Sequence, residues 1–189
     1  MKNKKFKNLY YWNVAQLILP IIFLIWGFNF RSDNQVISSA ILGMITKVQC
    51  TNWLQNFIWL FTHNLMIMFV AFWISYFSFG IVGTLWCINN AFMIGQLSKV
   101  YLSVINDAWI AVLFMLLEFV AAIITMVSST YFRLKKFNLK KAANDKIYSA
   151  ENYEKYKKKH EKNILFVYAI IAIILLIAAV LESVVLSSF

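Results

Sequence analysis

The chain has 189 residues, a net charge of +10 and a mean hydropathy of +0.67; 61% of its residues are hydrophobic, 17% aromatic and only 14% charged. A soluble domain of this length cannot bury so much apolar surface, so the composition excludes a soluble fold and points to lipid as the solvent. In hydrocarbon every backbone N–H and C=O must be paired internally, and long unbroken apolar runs suit helices rather than the alternating strands of a barrel. The expected fold class is therefore an all-α, polytopic membrane helical bundle forming a single membrane domain.

The first span is predicted over residues 9–30. Tyr10, Tyr11 and Trp12 stand at one end and Trp26 near the other, as interfacial aromatics do, and Pro20 falls mid-span, where it favours a kink. Lys2, Lys4, Lys5 and Lys7 precede it. The apolar run is longer than the core of a signal peptide, and Asn29-Phe30-Arg31 is no cleavage site, so the span reads as retained. Residues 31–56 are expected to form an extracytoplasmic loop. Within it Val36, Ile37, Ala40, Ile41, Met44, Ile45 and Val48 recur at helical spacing, which predicts a short amphipathic helix on the membrane surface or capping the spans.

From Val48 to Ser98, fifty-one residues pass without one Asp, Glu, Lys or Arg. One crossing needs only about 20 apolar residues, so this run predicts two spans, 57–77 and 80–97, divided at Ser78-Phe79-Gly80. A fourth span is expected at 108–130 and a fifth at 163–186. Five spans with the N-terminus inside place fifteen of the eighteen basic residues in the cytoplasm and leave Arg31, Lys47 and Lys99 outside. A single crossing between Phe57 and Leu97 would reverse that bias; a re-entrant pair would preserve it. Because the basic residues flank spans, their distribution argues for membrane topology and against nucleic-acid binding. Sixteen lysines to two arginines, with abundant Asn, Ile and Phe, resembles the product of an AT-rich bacterial genome, so the bacterial cytoplasmic membrane is the expected location.

Residues 131–162 turn polar and basic, with Glu151→Lys155 and Glu154→Lys158 pairs in the favourable i,i+4 order. They are expected to form a helical cytoplasmic extension continuing into the last span. It reads either as a solvated helix that fixes topology and touches anionic lipid, or as a docking face for a cytoplasmic partner. In the second case Lys135, Lys136, Lys140, Lys141, Lys155 and Lys158 are the candidate contacts.

The polar residues inside the spans carry the functional question. Glu118 lies about ten residues into its span, where a charged group costs at least a few kcal/mol, so it should face the bundle interior. At about 1.5 Å per residue, Asn89 and Asn90 lie at similar depth, and His63 and Asn64 slightly nearer the outer face. These five residues form the expected intramembrane polar cluster. It is either a polar knot that aligns helices or a functional carboxylate with its partners; in a catalytic version Glu118 and His63 are the candidates. Glu182 sits near the outer end of the last span, within reach of the interface. Gly80, Gly83 and Gly95, with Ser75, Ser78 and Thr84, suit close helix packing. Cys50 and Cys87 have no disulfide or metal-ligand pattern, and no phosphate-binding loop, CxxC or hydrolase motif is present. No cofactor or metal is expected.

The order of His63-Asn64-Leu65, then Gly80, Gly83, Thr84, Leu85 to Asn89-Asn90, Gly95 and Glu118 resembles the stage II sporulation protein M family of bacterial membrane proteins, over about residues 57–131. Where that family often carries Pro-His-Gly ahead of its intramembrane Glu, this chain reads Leu113-Phe114-Met115, so no histidine stands beside the carboxylate. The resemblance implies a component of a membrane complex. In the longer members this means sporulation, with peptidoglycan-degrading proteins. Shorter relatives lie in gene clusters for circular bacteriocins beside an ABC-type ATPase, in maturation, export or immunity. A short chain with a basic cytoplasmic helix fits the shorter type better. The leading expectation is thus a membrane subunit that handles a hydrophobic peptide together with an ABC-type ATPase or other membrane subunits. The alternatives are a non-catalytic scaffold in a sporulation or cell-wall remodelling complex, and an intramembrane peptide-processing enzyme in which Glu118 and His63 approach within hydrogen-bond reach.

Overall fold

A computed structural model describes residues 2–30, 52–104, 108–144 and 150–187. The described residues form five helices: α1 (Lys2–Asn29), α2 (Trp53–Phe77), α3 (Ile81–Val104), α4 (Ala108–Asn144) and α5 (Ala150–Ser187). The protein is an all-α, multi-pass membrane bundle. Four helices, α1, α2, α4 and α5, are long and apolar enough to cross a membrane. α3 has 24 residues, about 36 Å at 1.5 Å per residue, which matches a hydrocarbon core of about 30 Å. It falls short in hydropathy because it carries Asn89, Asn90 and Gln96.

Several helix ends differ from expectation. α2 begins at Trp53, not after a loop reaching residue 56. Asn52 caps it: its Oδ1 accepts the Leu54 N–H at 3.1 Å, satisfying one of the donors that a helix start leaves unpaired. α1 starts at Lys2 and continues through Pro20 to Asn29, so the basic N-terminal segment is part of the same helix as the span. α4 runs on past residue 130 to Asn144, and α5 starts at Ala150, thirteen residues ahead of the expected span. The expected surface helix of Val36 to Val48, and Cys50, lie outside the described residues.

The charge-free run breaks at Ser78, Phe79 and Gly80. The Ser78 N–H bonds to the Ile74 carbonyl at 3.0 Å and the Gly80 N–H to the Ser75 carbonyl at 2.8 Å, closing α2. Phe79 (φ 54°) and Gly80 (φ 87°) both take left-handed backbone, which is uncommon for a residue with a side chain. The Arg133 guanidinium of α4 lies 4.9 Å from the Phe79 ring centroid and 5.3 Å from that of Tyr76, a cation–π sandwich that holds the corner.

Successive helices alternate in direction. α1 runs parallel to α3, with Gln16 beside Thr84 and Leu24 beside Gly95. α2 runs parallel to α4, with Asn64 beside Glu118 and Met68 beside Thr125. α5 is antiparallel to α4: Phe132 meets His160 near one end, and Ala111 shares a cluster with Ala178 and Val185 near the other. α4 packs against all four other helices. The buried apolar side chains stack in three levels along it. Phe72, Tyr76 and Phe132 lie at the end from which the basic extension projects, Met68, Cys87, Phe119, Met126 and Ile171 in the middle, and Ala111, Phe114, Met115 and Ala178 at the far end. The outer surface is apolar, with Ile21, Ile25, Met66, Val70, Phe166 and Ile173 all exposed, as lipid requires.

α1 reaches α3 by backbone contact. A Cβ on Gly95 would sit inside the van der Waals radius of the Leu24 carbonyl and the Phe28 N–H, and one on Gly27 would strike the Phe92 carbonyl. Small residues at such a crossing let two backbones approach closely, the main source of helix association in lipid. Because the opposing atoms are backbone, no rotamer change relieves the clash. Gly95→Val is expected to destabilise the bundle by about 1–3 kcal/mol, read as a lower unfolding midpoint in detergent. Met93→Val, on the exposed face of the same helix, is expected to leave that midpoint unchanged.

Candidate functional site

The intramembrane polar residues divide into two groups. In the first, the Asn64 side-chain amide of α2 donates to a carboxylate oxygen of Glu118 on α4. Asn64 lies deeper than expected because α2 starts at Trp53: eleven residues past Trp53 matches ten residues past Ala108, at equal rise. Glu182 of α5 faces the same interior. It is within electrostatic range of Glu118 and of Tyr101 on α3, and its Oε2 is buried without a protein hydrogen-bond partner. Four helices thus contribute polar groups to one level of the bundle.

The expected five-residue cluster is therefore corrected. Asn90 turns back on its own helix, donating to the Trp86 carbonyl at 2.8 Å, and Asn89 is exposed on the outside of the bundle. They share the depth of Glu118 but not its direction, because neighbouring residues on a helix point about 100° apart and depth alone does not select a face. His63 is exposed and stacks its ring on Trp59, with centroids 4.8 Å apart and planes 8° from parallel. Glu118 and His63 are not brought together, so the described residues assemble no acid–base pair from them. Among the described residues no group of three or more His, Cys, Asp or Glu is placed to hold a metal ion. Cys87 is buried and free in the apolar middle level.

In the second group, Thr84 and Gly80 were expected only as small packing residues, and Gln16 and Thr130 were not singled out in the sequence. Gln16 of α1 is fully buried, and its amide donates to Thr84 of α3 at 3.1 Å and to Thr130 of α4 at 3.2 Å. Both hydroxyls in turn donate to carbonyls of their own helices, Thr84 to Gly80 at 2.6 Å and Thr130 to Met126 at 3.0 Å. Gly80 lies directly beneath: a Cβ there would collide with Thr130 and with the Gln16 amide. The signal available in the sequence was Gln16, an amide that stands with Asn13 inside the apolar run of the first span, the kind of residue lipid expels unless other helices receive it.

Of the six lysines proposed for docking, Lys136, Lys155 and Lys158 are exposed, and Lys135 lies over the Tyr131 ring at 5.4 Å. Lys140 and Lys141 continue α4. Lys157, not among the six, pairs with Glu154 at 3.7 Å on the exposed face of α5.

Chemically, the first group offers a carboxylate pair with an amide donor, and the second an amide–hydroxyl knot in which both N–H groups of Gln16 are paired and its Oε1 is not. A double-mutant cycle on Asn64→Ala and Glu118→Ala is expected to give a coupling of about 0.6–2 kcal/mol in unfolding. Glu118→Gln, which keeps an oxygen to accept the Asn64 amide, is expected to retain most of that stability, whereas Glu118→Leu should not. Gln16→Leu is expected to cost no more than about 2 kcal/mol, because Thr84 and Thr130 keep their bonds to helix carbonyls.

No family model matches the chain, and no characterised protein or solved structure is detectably similar to it.

Proposed function

We propose that this chain is a non-enzymatic integral subunit of a bacterial cytoplasmic membrane complex that handles a hydrophobic peptide, in its maturation, its secretion or immunity to it, together with an ABC-type ATPase. The observation that carries the reading is an apolar groove on the outside of the bundle. α2 and α3 touch at their corner, where Gly83 meets Ser75, and then leave a cleft of about 310 Å³ between them. Its walls are Met66, Ile67, Val70 and Ile74 on one side and Val82 and Trp86 on the other, with Gly83 at the floor. Two neighbours in sequence that pack closely only at their turn leave a seam into which apolar side chains of a third helix fit. Methionine suits such a surface because its flexible side chain adapts to varied partners.

Three further features support the reading. The separation of His63 from Glu118 favours a binding role over peptide cleavage or ligation. The four N-terminal lysines and the eleven basic residues of 133–162 favour a cytoplasmic N-terminus and a cytoplasmic basic extension. That extension prolongs α4 and α5 beyond the apolar levels and offers an ATPase exposed cations at Lys136, Lys155 and Lys158. The resemblance noted in the sequence supplies the bacteriocin context.

A photoreactive residue at Val70 or Val82 is expected to crosslink to a small hydrophobic precursor encoded beside this gene, and the same residue at Ile173, on an exposed face of α5, is not. Equal crosslinking from all three positions, or crosslinks to lipid alone, would count against a peptide groove and leave a scaffold in a cell-wall remodelling complex as the better reading.

A further inference from the structure

At the end of the bundle where the basic extension begins, α2, α4 and α5 leave a cleft of about 210 Å³. Trp73 and Tyr76 of α2 form its apolar wall and Lys136 of α4 one rim. Tyr153, Lys157, His160 and Glu161 of α5 line the remainder. The volume is too small for a drug-sized ligand, for which pockets run from about 300 Å³ upward. It suits a compact polar group.

His160 is the anomaly in this cleft. The side chain is 5% exposed, yet neither ring nitrogen has a hydrogen-bond partner. Its ring meets the edge of Phe132 with centroids 5.3 Å apart. Burial, and then the charges of Lys135 and Lys136, hold its pKa below the ordinary histidine value. The ring is therefore neutral near pH 7, with one N–H to give. Buried polar groups in folded proteins are almost always paired, so two nitrogens at a cavity wall with no protein partner take one from outside the chain, a water or a ligand in the cleft.

The surrounding charges say what that partner is. Lys136 and Lys157 stand on different helices around the same small space; Glu161 also lines it, and Lys157 pairs with Glu154 at 3.7 Å on its exposed side. Two ammonium groups and a neutral imidazole donor converging on a compact cavity are complementary to a phosphate. Trp73 and Tyr76 lie within the last five residues of α2, and such aromatics sit at the membrane–water interface. That is the level at which lipid headgroups present their phosphates. Tyr153 and Glu161 supply polar groups for the hydroxyls of a glycerol substituent.

We propose that this cleft is a binding site for the phosphate of an anionic phospholipid headgroup, held by Lys136, Lys157 and His160 between α2, α4 and α5. The ligand closes the gap between three helices, so it would couple lipid composition to the packing of the basic extension on the bundle.

Native mass spectrometry of the full chain tests this, after delipidation and titration with phosphatidylglycerol or phosphatidylcholine. Wild type is expected to retain phosphatidylglycerol in preference to phosphatidylcholine. Lys136→Gln with Lys157→Gln is expected to lose that retention about tenfold or more, while Lys155→Gln with Lys158→Gln, the same change in charge on the exposed face, loses less than about threefold. His160→Phe, which keeps an aromatic ring against Phe132 and removes both nitrogens, is expected to weaken retention severalfold with an unchanged circular-dichroism spectrum. Equal losses from the two lysine pairs would overturn the site in favour of a diffuse basic surface, as would no loss from either. Displacement of phosphatidylglycerol by millimolar inorganic phosphate would overturn the lipid assignment and leave a site for soluble phosphate.

Discussion

A polar side chain in hydrocarbon has no water to turn to, so it must be received by another helix. Gln16 shows what that constraint does. Its amide ties α1, α3 and α4 together, through Thr84 and Thr130. The Gly80 corner sits beneath it without a side chain because a Cβ would occupy the space of the amide. The same corner is braced from the other side by Arg133 against Tyr76 and Phe79. Three helices and one tight turn are thus positioned around a group that contributes little stability by itself, since such bonds bring roughly 0.6–2 kcal/mol each. Its effect is on geometry: an alternative packing would leave the amide unpaired in lipid.

α4 is the element on which the separate regions are arranged. Along its length it presents Glu118 to Asn64, then Thr125 and Thr130 to the neighbouring helices, then Arg133 to the corner, and Lys136 to the basic cleft. α3 has the least hydropathic crossing segment of the five helices and is covered on part of its surface. α1 lies along it through Gly27 and Gly95, and α2 and α4 also pack against it. Its outer face, with Leu85, Asn89 and Met93, remains exposed. The cleft between α2 and α3 opens on the outside of the bundle, between Met66 and Val70 on one wall and Val82 and Trp86 on the other.

The two carboxylates at the far level, Glu118 and Glu182, and the unpaired His160 at the opposite level are of different kinds. Glu118 has a protein partner in Asn64, and its environment reads as internal organisation. His160 has none, and it sits at a cleft with cations around it. What sets His160 apart is not the missing partner, which Glu182 Oε2 and Gln16 Oε1 share, but the cleft and the cations around it.

Composition alone determined the solvent, the helical class and most of the crossings, because hydrocarbon permits few backbone solutions and runs of about 20 apolar residues are long enough to be unmistakable. The break at Ser78 to Gly80 was legible for the same reason: a glycine at the midpoint of an over-long apolar run is where the chain can turn. Helix ends at Trp53, Asn144 and Ala150 were not, since propagation beyond the apolar segment depends on neighbours rather than on hydropathy. Depth could be counted from the sequence, and it placed Asn89, Asn90 and Glu118 at one level. Direction could not, because the angular setting of each helix about its axis is decided by packing against the others. Tertiary structure therefore gave Glu118 to Asn64, turned His63 and Asn89 outward, and brought Gln16, Thr84 and Thr130 together from positions 68 and 114 residues apart along the chain.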